Sequence, residues 1–386
     1  MKTLSYQLSF HTPAFLGNAE QSGQWRTPPF KALLRQWWRV AWMADKDFRG
    51  DVRSMRDEEG KLFGHAWLEN DSFERDGRMI KTSGRKSEVR LRISHWEQGK
   101  LNSWQGLEQG TIFHPESEIT RHRVGPHAYL GYGPLDGRGN TKLSQKVSAA
   151  IQAGENATFS IAVPEEASAL VEQALWLMDR YATAGGRSRN GWGSFSLTPL
   201  DDTPALAGEL PSRDWQQALQ LDWPHAIGSD DYGPLIWQTQ AHSDWQTLMR
   251  ELAIIKIGLR TQLVFNSGNN TQTPEARHWL SHPVTRHNVK PWRQGRLPNS
   301  LRFKAYPDSS DPTKLRGHIF HAPALPTDIF RPDKEAVSQA WATVHNLLDE
   351  LTQKPDQRSY LMIKDPSRRA NLKAQLNEVT LGRNRN

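Results

Sequence analysis

Two clusters of residues in this chain have types and spacing that can do chemistry. The first is Gly185-Gly186-Arg187-Ser188-Arg189-Asn190-Gly191-Trp192-Gly193-Ser194, with four glycines in ten residues. Glycines permit positive φ and let backbone N–H groups approach phosphate oxygens, so Gly186 and Ser188 make a candidate cradle. Arg187 and Arg189 add charge and Trp192 a stacking face. A nucleoside-triphosphate loop is disfavoured, because Trp192 and Gly193 stand where that loop needs Lys and Ser/Thr, and GxGxxG does not fit either. A purely structural turn is the alternative. The second cluster runs from Ala276 to Lys304 and holds seven cations (Arg277, Arg286, Lys290, Arg293, Arg296, Arg302 and Lys304), three His and no acid. With the rings of Trp279, Trp292 and Phe303 it offers the positive groove and stacking platforms that suit a single nucleic-acid strand, a solvated loop being the alternative.

The elements that must position these groups follow from periodicity. Thr3 to Phe10 alternates polar and apolar residues as a strand with one buried face does. Thr27-Pro28-Pro29 opens a helix to about Met43 with Phe30, Leu33, Leu34, Trp37 and Ala41 inward. Lys31, Arg35 and Arg39 fall on one stripe of it beside Trp38 and Trp42, and no acid lies between Gln21 and Ala44 to pair with them, which favours phosphate contact over an ordinary solvated face. Glu88 to Ser94 alternates again and places Arg90 and Arg92 outward. Further strands are expected at Ala128–Tyr132, Ala157–Val163 and Phe195–Leu197, with a helix from Glu165 to Thr183 ended by Gly185-Gly186. The segment 200–213 reads as a linker between domains 1–199 and 214–386. Beyond it, helices are expected at Ser243–Ile257, capped by Ser243 with Gln246, and at Asp333–Leu351, and strands at Leu259–Phe265, Ser300–Tyr306 and Arg316–His321. The fold class is α+β, and the order strand, helix, strands, helix, strand is that of a ferredoxin-like unit.

Composition narrows the chemistry. The 386 residues carry 49 basic and 42 acidic side chains, a net charge of +7 that favours an anionic partner without forcing one. With no Cys there is no disulfide, thiolate nucleophile or Cys-zinc site. His278 and His282 have i, i+4 spacing, but Pro283 follows at once and the nearest acid is Glu275, so they read as solvent-facing rather than as metal ligands, and no metal or cofactor is expected. No apolar run approaches a membrane span and the N-terminus lacks a signal-peptide core, which makes a cytoplasmic location the expectation. The tail from Gln353 holds eight cations against three acids, suited to a disordered arm or a neighbouring subunit.

The segments Thr12–Gly17, Pro28–Arg39, Leu62-Phe63-Gly64 and Gly185–Ser194 follow the order seen in RAMP proteins of CRISPR systems. The Pro-Pro, Lys, Leu-Arg, Trp-Trp-Arg helix resembles that of the RAMP subunit at the distal end of type III-B (Cmr) effector complexes, although Ala32 stands where many RAMP helices have Gly. Past Ser194 only Arg296–Leu301 shares a second-unit pattern. The resemblance implies two ferredoxin-like (RRM-like) units with long inserted loops, binding of guide RNA and target single-stranded RNA, assembly with other RAMP subunits, and no cutting activity. Its runner-up is a metal-independent endoribonuclease of CRISPR precursor RNA using His11, His65 or His122 as base. A DNA-binding regulator would want a compact helix-turn-helix, and none is evident.

Overall fold

The computed structural model describes residues 1–66, 71–82, 84–108, 110–137, 140–359 and 366–383. It mixes helices with several antiparallel sheets, two of them four-stranded. In the first, β1 (Lys2–Phe10) leads into α1 (Pro28–Asp45) and α2 (Val52–Phe63), then β2 (Arg90–Ile93), a long insertion containing α3 (Pro126–Gly131), β3 (Asn156–Val163), α4 (Ser168–Tyr181) and β4 (Phe195–Pro199). The sheet order is β4-β1-β3-β2, every pairing antiparallel. β1 buries Leu4, Tyr6, Leu8 and Phe10 under α1 and α4, while Thr3, Ser5, Gln7 and Ser9 form the opposite face.

The second sheet repeats that connectivity. β5 (Ile236–His242), α5 (Trp245–Thr261), β6 (Leu301–Pro307), β7 (Leu315–His321), α6 (Lys334–Glu350), α7 (Pro366–Asn377) and β8 (Gly382–Arg383) give the order β6-β7-β5-β8, again antiparallel throughout. The two sheets approach at their edge strands. Phe303 N on β6 donates to Arg189 O, Ala305 N to Ser194 Oγ, and Tyr306 Oη to Asp179 Oδ2 at the end of α4. The insertion after β2 packs on the second sheet's helices: Trp104, Ile112 and Leu130 join the core that holds Met249 and Leu252 of α5.

Several local expectations need correction. Residues 128–131 are helical, because Pro126 opens a short helix whose Leu130 is buried beside α5. Residues 259–261 close α5, whose helical spacing carries Leu259 into the core and Leu263 beyond it. Asp244, rather than Ser243, caps α5 by accepting from Thr247 N. α1 starts without a side-chain cap from Thr27, its first N–H groups being those that Pro28 and Pro29 lack. α4 ends at Tyr181, short of the glycines, since Thr183 turns into a bridge with Ser194. The segment 200–213 is docked on the first sheet: Ser5 N donates to Thr203 Oγ1, and Leu206 and Leu210 pack on its core. Of the basic tail, residues 360–365 and 384–386 lie outside the described residues. No helix among the described residues is long and apolar enough to cross a membrane.

Candidate nucleic-acid interface

The basic stripe of α1 is answered by an acid from the next helix. Asp51 caps α2 by accepting from Ser54 N, and α2 carries Glu59 under α1, where Arg35 Nε and Arg39 Nη2 donate to Glu59 Oε1 at 2.8 and 2.9 Å. Their charge is largely spent inside the fold. Trp38 is 2% exposed and meets Phe63 edge-on at 5.8 Å, and Trp42 donates to Glu58 Oε2. Neither indole has a face for a base. Lys31 is half-buried and unpaired, with its ammonium held below the usual lysine range by burial and then by Arg35.

The glycine-rich loop is likewise occupied by its own fold. Gly186 N donates to Phe15 O, Gly191 N to Ser188 O, Gly193 N to Pro13 O and Ser194 N to Thr12 Oγ1. These N–H groups are therefore not free to cradle phosphate. Gly193 is needed for space, because a Cβ there would stand 1.9 Å from Ala184 O. Trp192 is fully buried against Phe15, Trp104 and Trp245. Ser188 O accepts from Thr183 Oγ1, and Arg189 Nη1 donates to Asn299 O at 2.9 Å. Arg187 is exposed, its Nε donating to Tyr132 O, while Ser188, Arg189 and Asn190 are half-buried.

The 276–304 cluster divides into an inside and an outside. Arg277 is buried and paired with Glu116, Arg302 lies over the Trp37 ring, and Lys304 donates to Asp179 O. Trp292 is buried and donates to Phe330 O at 3.0 Å. His278 and His282 are buried too, rather than solvent-facing, bonding to the carbonyls of His287 and Gly295 at 2.7 and 2.8 Å. These inward groups pin the loop from within. Arg286, Lys290, Arg293 and Arg296 are exposed, and none makes a side-chain hydrogen bond or ion pair among the described residues. Arg286 and Arg293 hold φ of +63° and +47°, a conformation that costs a residue with a Cβ about 1 kcal/mol or more.

Arg90 and Arg92 stand exposed on the edge strand β2, opposite Ala162 and Ser160 of β3, bordering a sheet face of Thr, Ser and Gln. Two exposed aromatics that the sequence patterns did not single out lie near these cations. Trp96 is 55% exposed just beyond β2, and Tyr132 is 58% exposed beside Arg187. Lys256 and Arg260, one turn apart on α5, were also missed; their signal was two cations in the otherwise apolar stretch from Leu252 to Arg260. His11 bonds Ser196 Oγ and is pushed down to about 4 by burial and then Lys304, His65 pairs with Asp71, and His122 lies tilted against Phe113 at 5.8 Å, so the three candidate bases stand in separate environments. Among the described residues no three His, Asp or Glu gather as metal ligands do.

Residues 7–196 match the family model described as the RAMP superfamily. That matched stretch contains all four N-terminal motifs. Among solved structures the chain is similar to Cmr1 from Pyrococcus furiosus in its apo form, at 14% identity and a TM-score of 0.44, covering 90% of this chain and 97% of that one. It is also similar to a chain of the type III-B Cmr-beta complex bound to cognate target RNA and AMPPnP in the presence of ssDNA, at 11% identity and a TM-score of 0.44, over 90% and 99% of the two chains. A second Cmr-beta complex, bound to cognate target RNA, gives 10%, 0.42, 89% and 99%. No curated protein matches.

Proposed function

We propose that the chain is a non-catalytic RNA-binding subunit of a type III-B CRISPR (Cmr) ribonucleoprotein, assembled with other RAMP subunits and contacting guide RNA, target RNA or both. The observation that carries the reading is the row Arg286, Lys290, Arg293 and Arg296, four exposed cations without acidic partners among the described residues, on a loop that buried aromatics and imidazoles hold in shape. Cations left unpaired on a rigid loop suit a partner that brings regularly spaced negative charge, as a nucleic-acid backbone does. The match of residues 7–196 to the RAMP superfamily model supports the assignment to a CRISPR assembly. Both four-stranded sheets are read as ferredoxin-like, supported by their shared order of fourth, first, third and second strand. The division into units 1–199 and 214–386 joined by 200–213 is part of the same reading, with the insertion after β2 crossing to the second unit.

The test is to purify the tagged chain from its native cells and identify what accompanies it by mass spectrometry and RNA sequencing. Companion RAMP subunits and a short RNA are expected. A lone chain that cuts a repeat-derived hairpin, and loses that activity on substitution of His11, His65 or His122, would replace the scaffold reading with the endoribonuclease.

A further inference from the structure

Behind Arg187 a cleft opens between α5, the Arg189–Asn190 end of the glycine-rich loop and β6. Arg189, Asn190, Lys256, Arg260 and Asn299 make its polar wall, apolar side chains such as Trp341 make the rest, and no carboxylate lines it. Lys256 Nζ donates to Asn190 Oδ1, an amide that accepts a proton without cancelling the charge. Arg260 Nε is buried and has no acceptor among the described residues. Glu116, the acid that faces Arg260, is already paired with Arg277. Burial, with Arg260 and Arg187 nearby, pushes the Lys256 ammonium well below the usual lysine range. Three cations gathered with neutral partners oppose folding, since each loses hydration and repels the others. An apolar wall would pack this region without that cost, so the charges point to an anion.

We propose that this cleft is a phosphate-binding site, with Lys256 and Arg260 donating to one phosphoryl oxygen of the RNA strand that crosses the 286–296 loop. The proposal rests on the RNA-binding reading above. The interior has room for about one water molecule, so a phosphate enters by a single oxygen and keeps the others at the mouth. Arg187 stands close enough to Arg260 and Arg296 to share their field, which joins the cleft electrostatically to the exposed cation row. Tyr132, whose carbonyl holds Arg187, is exposed and offers an aromatic ring beside that cation.

The full chain is tested by thermal melting in inorganic phosphate against chloride at matched ionic strength, and by single-stranded RNA affinity. Wild type is expected to melt higher in phosphate, while Lys256→Met and Arg260→Gln keep or raise the melting temperature in chloride and lose the phosphate response. Each is expected to weaken RNA binding about tenfold, and Lys256→Arg to retain both responses. If wild type and the two neutral variants respond alike to phosphate and to RNA, the cleft proposal is overturned while the RNA-binding reading stands. If phosphate protects wild type alone but wild type binds no RNA, the cleft is upheld as a phosphate site, and both its RNA ligand and the RNA-binding reading are overturned.

Discussion

At Glu59 one carboxylate changes the meaning of a whole helix face. The stripe Lys31, Arg35 and Arg39 is legible in the sequence, but the acid that pairs with two of its members comes from α2, beyond the stretch in which acids were absent. Glu59→Ala is expected to cost about 1–3 kcal/mol by leaving both guanidiniums without their acceptor, with single-stranded RNA affinity nearly unchanged; urea unfolding and filter binding check the two halves. The indoles teach the same lesson. Trp38, Trp192 and Trp292 are buried, whereas the accessible rings near the cations are Trp96 and Tyr132. Residue type supplies a stacking face, but only packing decides which way it looks. Trp38→Ala is accordingly expected to destabilise the chain by about 3–5 kcal/mol, read by chemical denaturation.

At the scale of elements, periodic segments were readable and context-dependent ones were not. β1, β3, α1 and α6 follow their two-residue or 3.6-residue patterns closely, whereas β6 and β7 lie where strands were expected but bury successive residues on both faces. The strand expected at Ala128–Tyr132 and the one at Leu259–Phe265 are helical or turn-like because tertiary packing of short apolar runs overrides any local preference. The glycine-rich loop was visible as a special turn, yet the N–H groups of Gly186, Asn190, Gly191 and Gly193 satisfy neighbouring carbonyls rather than waiting for a ligand. Its role in joining the two sheets makes Arg189 a structural tie. Arg189→Ala is expected to lower stability by about 1–2 kcal/mol through loss of the bond to Asn299 O, a drop that calorimetry would register. Arg187→Ala, at the surface, is expected to leave the melting temperature nearly unchanged and to weaken RNA binding.

Across the whole molecule, buried imidazoles set the acid limit. Burial, followed by Arg383, pushes His345 down to about 3, and burial followed by Lys304 pushes His11 down to about 4. His345 Nε2 also meets His321 Nδ1 at 3.0 Å, so one ring must donate and the other accept, which requires a neutral nitrogen. Unfolded imidazoles titrate near pH 6.5, so the unfolded chain binds more protons below that value. Stability is therefore expected to be whole above pH 6.5 and to fall by a few kcal/mol as the pH drops toward 4, as denaturation at stepped pH would show. Net charge pointed to an anionic partner from the outset, but the molecule spends many of its cations internally, and the exposed row at 286–296 keeps four of them available. The most direct test of the account compares the salt dependence of single-stranded RNA affinity for wild type and for the variant with Arg286, Lys290, Arg293 and Arg296 all changed to Ala. The account predicts a steep slope of log affinity against log salt for wild type and one shallower by about 2–3 for the variant, at nearly equal melting temperature. Equal slopes, or no binding by wild type even at low salt, would contradict it.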